Sequence, residues 1–378
     1  MAFEFRLQTV KDMTPDLWAA CTALRNRETA FDDPFFDPEF ARLLGEVRDD
    51  TRIGIALDHG DMVGFWAMHV RPGEWSRPIG GPFSNWHGPV VSSSSSLSPE
   101  CFLRGLGLAG FSAFAMPGAL ATTWSGRPHD VAYLTDLSAG WSAFSLDLER
   151  QWGSHFKKMR RLRRAAIRKD GEVEFRFEDN TEQTFTQLIH LKRDQLARTG
   201  RHDVFAPDWS RALLDRLRTH ESPRLRTRLV SIYIGGQHAA SELNLMSDKV
   251  MNGWLAGFDR GYARWSPGHL LVEDLLQHLS EHGPYIYDAG AGSAHYKRQY
   301  SNLQRPVMSG TLRGDRPLWH PARAFGQMWS YGERIMPAPV ADTLTRVRQR
   351  LDQICLTETT LRDRAAGIAG AVRGVATG

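Results

Sequence analysis

Residues 264–298 read RWSPGHLLVEDLLQHLSEHGPYIYDAGAGSAHYKR, and the order of features inside them decides the fold class. The stretch follows a run of β-forming residues. Arg264, Trp265, Ser266, Pro267, Gly268, His269 and Leu270 lead from a loop into a helix, marked by Leu271, Val272, Leu275 and Leu279 at helical spacing. Pro267 suits a first helical turn, where its missing N–H is not needed. A strand, a Ser/Gly loop and a helix N-terminus make a site for an anion, because free backbone N–H groups and the helix dipole face it. The residues alone equally allow Ser266 to be a helix cap and Gly268 a relief of crowding. Beyond the helix, Tyr285, Ile286 and Tyr287 form a short β run. Asp288 to Gly292 are then expected to turn the chain sharply, so that Tyr296, Lys297 and Arg298 emerge past a strand end. A lysine there can pair with phosphate or stabilise charge developing on a carbonyl, and Asp288 can orient an amine or accept its proton. A plain turn followed by surface charges is the alternative.

Working outward, residues 229–234 (LVSIYI) and 238–246 (HAASELNLM) form a hairpin around Gly235, Gly236 and Gln237, followed by a third strand from Lys249 to Gly257. The same plan occurs earlier, where 52–57 (RIGIAL) and 62–70 (MVGFWAMHV) flank a turn at Asp58, His59, Gly60 and Asp61. Two hairpins of matched length suggest a duplicated unit. Between them lie a serine run at 92–96, expected to be a surface loop, and a glycine-rich stretch at 105–118. Phe185, Leu188, Ile189 and Leu196 mark one further helix, and Trp209, Leu213, Leu214 and Leu217 another.

The run 157–169 carries eight Lys and Arg residues, with Phe156, Met159, Leu162, Ala166 and Ile167 as a narrow apolar stripe. No aromatic interleaving accompanies it, so a solvated or anion-facing helix is expected and DNA is not. In the tail, Leu344, Val347, Leu351 and Ile354 recur at helical spacing between arginines, as for a helix packed on the body or used at an interface or a membrane surface. The last residues, 365–378, are expected to fray.

The 378 residues have room for two domains, each able to bury a core. Hydrophobic residues at 42% and charged residues at 24% exclude a mainly disordered or fibrous chain. The net charge of +4, largely from arginine, suits anionic ligands. Cys21, Cys101 and Cys355 show no CxxC spacing, no HExxH motif links the histidines and no GxSxG elbow occurs, so neither a metal, a disulfide framework nor a serine triad is expected. Residues 1–12 lack a signal-peptide pattern and no apolar run of membrane-spanning length occurs, so the expected setting is the cytoplasm, with peripheral association to the inner membrane open.

Taken in order, FKKMRRLRRAAIRKDGEVEF (156–175), HLKRDQLARTG (190–200), LVSIYIGGQHAASELNL (229–245), LAGFDRGYARWSPGHLLVEDLL (255–276) and YDAGAGSAHYKRQY (287–300) resemble the CelD-type branch of the FemAB-like GNAT acyltransferases, the BioF-like acetyltransferase domain. The resemblance covers residues 152–302 and weakens toward the N-terminus, where it rests on DDPFFDPEFARLL (32–44) and its hairpin. It implies an α+β, α/β-layered fold of two tandem GNAT-like domains, 1–145 and 146–315, with a helical tail at 316–378. It further implies an acyl-CoA donor, with Arg264, Ser266, Pro267, Gly268, His269 and Leu270 holding its pyrophosphate. Lys297 is the first catalytic choice, followed by Asp288 and Tyr296, while Glu242, Gly290 and Arg298 are assigned to the acceptor. The acceptor it implies is an amino sugar or other amine of an exopolysaccharide, holdfast or cell-envelope precursor. The alternatives are an aminoacyl-tRNA-dependent transferase and a non-catalytic scaffold sensing a nucleotide such as cyclic di-GMP. His269, where many relatives carry Arg or Lys, departs from the pattern.

Overall fold

The computed structural model describes residues 3–120, 127–292, 295–314 and 335–376, with positions 328 and 331. The first half comprises β1 (Glu4–Thr9), α1 (Pro15–Arg27), α2 (Pro38–Gly45), β2 (Thr51–Asp58), β3 (Asp61–Arg71), β4 (Trp75–Pro78), β5 (Val90–Val91), α3 (Pro99–Gly105), β6 (Gly110–Pro117) and β7 (Arg127–Asp136). The second comprises α4 (Trp141–Asp170), β8 (Val173–Arg176), α5 (Glu182–Arg198), α6 (Asp208–Thr219), β9 (Arg226–Ile234), β10 (Gln237–Met246), β11 (Val250–Phe258), α7 (Pro267–His282), β12 (Ile286–Ala291), α8 (His295–Gln299) and β13 (Leu303–Arg313). The tail carries α9 (Ala338–Thr357) and α10 (Leu361–Ala376).

All these strands belong to one sheet, ordered β1-β2-β3-β4-β6-β13-β7-β12-β11-β10-β9-β8, with β5 beside β3. The order is a repeat met in the middle. Each half has four antiparallel strands, then a parallel neighbour, β6 beside β4 and β12 beside β11. Each ends on an antiparallel strand borrowed from the other half, β13 beside β6 and β7 beside β12. The hairpin turns also match: His59 and Gly60 have φ of 51° and 91°, and Gly235 and Gly236 have 59° and 76°, the paired positive values of a tight two-residue turn.

Alternate side chains serve opposite faces of the strands, as the two-residue period requires. Leu229, Leu243 and Leu245 join the larger core with the first half, α5 and α6. Val230, Ile232 and Ile234 join a second core under α4 and α7. The apolar stripe of α4 buries Phe156, Met159 and Ala166 there, but Ile167, expected in the stripe, is exposed. The serine run is mostly exposed, and the glycine-rich stretch supplies β6.

The tail packs back on the body. The guanidinium groups of Arg48 and Arg71 donate to the carbonyls of Leu356, Cys355, Glu358 and Thr359 at the end of α9, where the helix dipole is negative. Trp209 Nε1 adds a bond to the Thr357 carbonyl at 2.9 Å. In the segment expected to fray, α10 is helical as far as Ala376, and residues 377–378 lie outside the described residues. Gly367 allows the helix to lie so close that a Cβ would come within 2.9 Å of Ile354. Among the described residues no helix is long and apolar enough to cross a membrane.

Candidate active site

Parallel strands β11 and β12 pair only at Val250 with Ile286, Met251 with Tyr287 and Asn252 with Asp288, and then part. Strand β11 carries an extra residue, Trp254, because Leu243 faces Leu255 while Asn244 faces Gly253; such a bulge re-aims the strand beside a site. A cleft of about 840 Å³ opens where the strands separate. The N-terminus of α7 borders it through Ser266, Pro267, Gly268 and His269.

Neither bland reading of that turn holds. Ser266 adopts φ 54° and ψ 54°, a left-handed conformation rare outside glycine, and its side chain makes no cap hydrogen bond. A Cβ on Gly268 would meet nothing within 4 Å, so crowding does not explain the glycine. The first turn of α7 therefore faces open space with its dipole end uncapped by side chains, which suits an anion.

Glu242 lies on β10 in the cleft wall, 4% exposed, and accepts a 2.9 Å hydrogen bond from the Tyr287 hydroxyl. Burial pushes its carboxyl up to about 7, against the pull of the Tyr287 hydrogen bond and the charges of Lys297 and Lys192. Gly253 makes room for this pair: a Cβ there would lie 2.3 Å from Tyr287 Oη and 2.4 Å from Glu242 Oε1. Lys297, on α8, donates to the Ala291 carbonyl at 2.7 Å and lines the same cleft. Burial lowers its pKa, opposed by the carboxylates of Asp288 and Glu242. Burial and the neighbouring Glu242 raise the Tyr296 phenol, which keeps its proton at neutral pH. His269 is likewise held neutral, its pKa lowered to about 4 by burial and by His155, Lys158 and His295.

The expected sharp turn at Asp288 to Gly292 is instead a bulge inside β12. Asp288 pairs with Leu134 and Ala291 with Ala132, leaving one residue too many in β12, and Gly290 absorbs it at φ 74°. Asp288 closes the bulge by accepting from Gly290 N at 2.7 Å, and its other oxygen accepts from Trp86 Nε1 at 2.8 Å. At 1% exposure with both oxygens engaged, Asp288 stands behind the cleft wall rather than in the cleft.

Three other expected site residues also lie outside the lining. Arg264 pairs with Asp170 at 2.6 Å and stacks beside Trp265, Leu270 is fully buried in the core, and Arg298 sits over the Trp152 ring. Ser266, Pro267, Gly268, His269, Glu242, Gly290, Tyr296 and Lys297 are brought together. The cleft also takes residues that sequence reading missed. Asn85 lines it, and Asn85 and Trp86 come from GGPFSNWHGP (80–89), where glycine and proline density was the sole signal. Lys192 and Gln195 of α5 line it as well.

The corresponding opening in the first half is closed by its own chain. Strands β4 and β6 pair at Trp75 with Gly110 and at Ser76 with Phe111, and beyond this His87 fills the edge of β6. Its Nε2 accepts from Phe114 N at 3.0 Å and Ala115 N at 3.1 Å, and its backbone N–H donates to Ala115 O. Among the described residues no group of three or more His, Cys, Asp or Glu is arranged to hold a metal.

Residues 153–298 match the family model described as an acetyltransferase (GNAT) domain. A search of curated proteins found no match. Among solved structures, the chain is similar to the C-terminal (DUF2156) domain of a lysylphosphatidylglycerol synthetase candidate from Agrobacterium fabrum, at 15% identity over 82% of this chain and 94% of that one, with a TM-score of 0.48. It is also similar to FemX, at 11% identity over 68% and 86% with a TM-score of 0.46. A tandem GNAT protein from the clavulanic acid biosynthesis pathway gives 10% over 82% and 98%, again at 0.46. At these TM-scores the three likenesses carry no weight for function. The matched residues 153–298 span α5, strands β9–β12 and α7, which form most of the cleft wall, so the match to an acetyltransferase (GNAT) domain falls on the candidate site and the chain is an acyltransferase.

Proposed function

We propose that the chain transfers an acyl group from acyl-CoA directly to a primary amine in the β11–β12 cleft. The observation that carries this reading is a cleft-wall carboxyl, Glu242, raised to about 7, sharing its cavity with Lys297 and the uncapped start of α7. A group that titrates near the working pH is suited to take a proton during reaction. The donor pyrophosphate rests on the first turn of α7 around Gly268, and the thioester reaches in between the parted strands. The amine nitrogen attacks the thioester carbonyl, forming the C–N bond, and its proton passes to Glu242. The Lys297 ammonium offsets charge on the carbonyl oxygen. As the C–S bond breaks, the CoA thiolate takes the proton that Glu242 collected from the amine, giving an amide and free thiol and leaving Glu242 as it began; Tyr296 stays protonated in the cleft wall.

The acceptor fits an amino sugar of an exopolysaccharide or cell-envelope precursor. Trp254 and Phe258 line the cleft together with Asn85 and Gln195, a mix of aromatic and amide side chains suited to a sugar ring. The resemblance to CelD-type, FemAB-like enzymes supports the same class. With acyl-CoA as donor, the reaction belongs in the cytoplasm. We read the chain as two GNAT-like units with exchanged strands, of which only the second works.

Acetyl-CoA and glucosamine should give equal amounts of free thiol and N-acetylglucosamine; acetyl-CoA left intact, or thiol released without amide, would overturn the reading. A second expectation separates affinity from stability. Gly268→Asp puts a carboxylate where the pyrophosphate sits, so calorimetry should show acetyl-CoA binding weakened by about tenfold or more. The same charge favours a helix N-terminus, so the melting temperature should hold or rise. Unchanged affinity would remove the α7 turn from the donor site.

A further inference from the structure

Residues 80–89 cross from the first half to the cleft of the second, and the amide of Asn85 is held there by its NH₂ end. Its Nδ2 donates to the Gly253 carbonyl at 3.2 Å and to Asn252 Oδ1 at 2.8 Å. Asn252 Nδ2 in turn donates to Asp33 Oδ2 at 2.8 Å, and the other Asp33 oxygen accepts from Phe35 N at 3.0 Å. A backbone carbonyl only accepts, so the Asn85 group facing Gly253 is the NH₂. That NH₂ also donates to Asn252, so the Asn252 atom it meets is the oxygen and the Asn252 NH₂ is left facing Asp33.

The direction of the chain is thus set, and Asn85 Oδ1 points away from it. No described residue donates to that oxygen, and it is not sealed from solvent. Asn85 lines the same cleft as Glu242 and Lys297. A Cβ on Gly290 would stand 3.6 Å from Asn85 Nδ2 and 3.7 Å from Lys297 Nζ, so the amide and the ammonium flank one spot.

Resting on the acyl-transfer reading, we propose that Asn85 is a catalytic residue: its Oδ1 accepts a hydrogen bond from the incoming amine and aims the nitrogen lone pair at the thioester carbonyl. Asn252 and Asp33 are positioning residues that act through it. A neutral primary amine has two N–H groups. With one on Asn85 and the other toward Glu242, its lone pair is left a single direction, and orientation of this kind supplies much of the rate in bimolecular reactions. A hydrogen-bond chain of this kind also polarises each amide along it, making Asn85 Oδ1 a better acceptor. The first half, whose own opening is closed, thereby contributes a reacting-site residue to the second.

The test uses the full chain, acetyl-CoA and glucosamine. Asn85→Ala should lower kcat by about 10²-fold with the KM for acetyl-CoA unchanged, because only the amine is misplaced. Asp33→Asn, which sets an NH₂ against one of the two N–H groups that Asp33 accepts from, should lower kcat by about tenfold. The double variant should be no slower than Asn85→Ala alone, a coupling that a merely structural role would not produce. If Asn85→Ala melts early, Asn85→Ser replaces it, a polar residue too short to present an oxygen at the Oδ1 position, with the same loss expected. Transfer within about twofold of wild type, with acetyl-CoA binding intact, overturns the proposal and leaves acyl transfer standing. Additive losses in the double variant overturn the Asp33 chain. Failure of the unaltered protein to bind acetyl-CoA overturns the acyl-transfer reading and this proposal with it.

Discussion

Glu242→Gln is expected to lower kcat for transfer from acetyl-CoA to glucosamine by about 10²–10⁴-fold, the span over which a positioned general base contributes. The amide keeps the shape of the side chain and can still meet the Tyr287 hydroxyl, so acetyl-CoA affinity should hold. The pH dependence follows from the burial that raises this carboxyl to about 7. Above that value Glu242 is ionised and can accept the proton; as pH falls through it, the base is lost and the rate falls with it. Glucosamine's own amine also gains a proton toward acid pH, in both proteins. The ratio of wild-type to variant kcat/KM isolates Glu242: it should shrink as pH drops from about 8 to about 6, on the order of the one-group titration. A constant ratio would remove Glu242 as the base.

Lys297→Met should cost about 10²–10³-fold in kcat, the loss seen when one preorganised donor to a developing oxyanion is removed. Methionine matches the length of the lysine stem and leaves the ammonium out. Lys297 is largely buried, and its one described hydrogen bond is to the Ala291 carbonyl, so removing the charge also removes a desolvation cost. The melting temperature should therefore hold or rise while transfer collapses, checked by thermal melts beside single-turnover rates. Full activity would take Lys297 out of the mechanism, and a large fall in melting temperature would make its role structural.

Much of the second half was legible because its signals are local. Alternating residues around Gly235 and Gly236, the stripe from Leu271 to Leu279, and Pro267 at a helix start each depend on neighbours a few positions away. The exchange of β7 and β13 was not legible. It pairs residues such as Leu134 and Leu303, and nothing in either strand records which partner lies beside it. The same limit explains the misplaced site residues. Arg264 and Arg298 sit in the right segment, but Asp170 and Trp152 claim them from elsewhere in the chain. Asp288 looked like a base because the chain was expected to turn there into solvent. The Gly290 bulge and Trp86 instead draw it inside.

Glu242 shows the converse. Sequence marked it only as an acceptor contact, since a glutamate on a strand carries no sign of its environment. Its raised titration arises from burial, which outweighs the Tyr287 hydrogen bond, and Gly253 leaves the space for that pair. Asn85 was illegible for a related reason: its importance lies in Gly253, Asn252 and Asp33, drawn from both halves.

The most direct test is a crystal structure of the Glu242→Gln protein with acetyl-CoA. The expected result is one acetyl-CoA per chain, its pyrophosphate on the amides of the α7 first turn at Gly268, its pantetheine arm between β11 and β12, and its thioester carbonyl beside residue 242 and Lys297. A pyrophosphate bound elsewhere, or a thioester lying outside the β11–β12 cleft, would contradict direct transfer in that cleft.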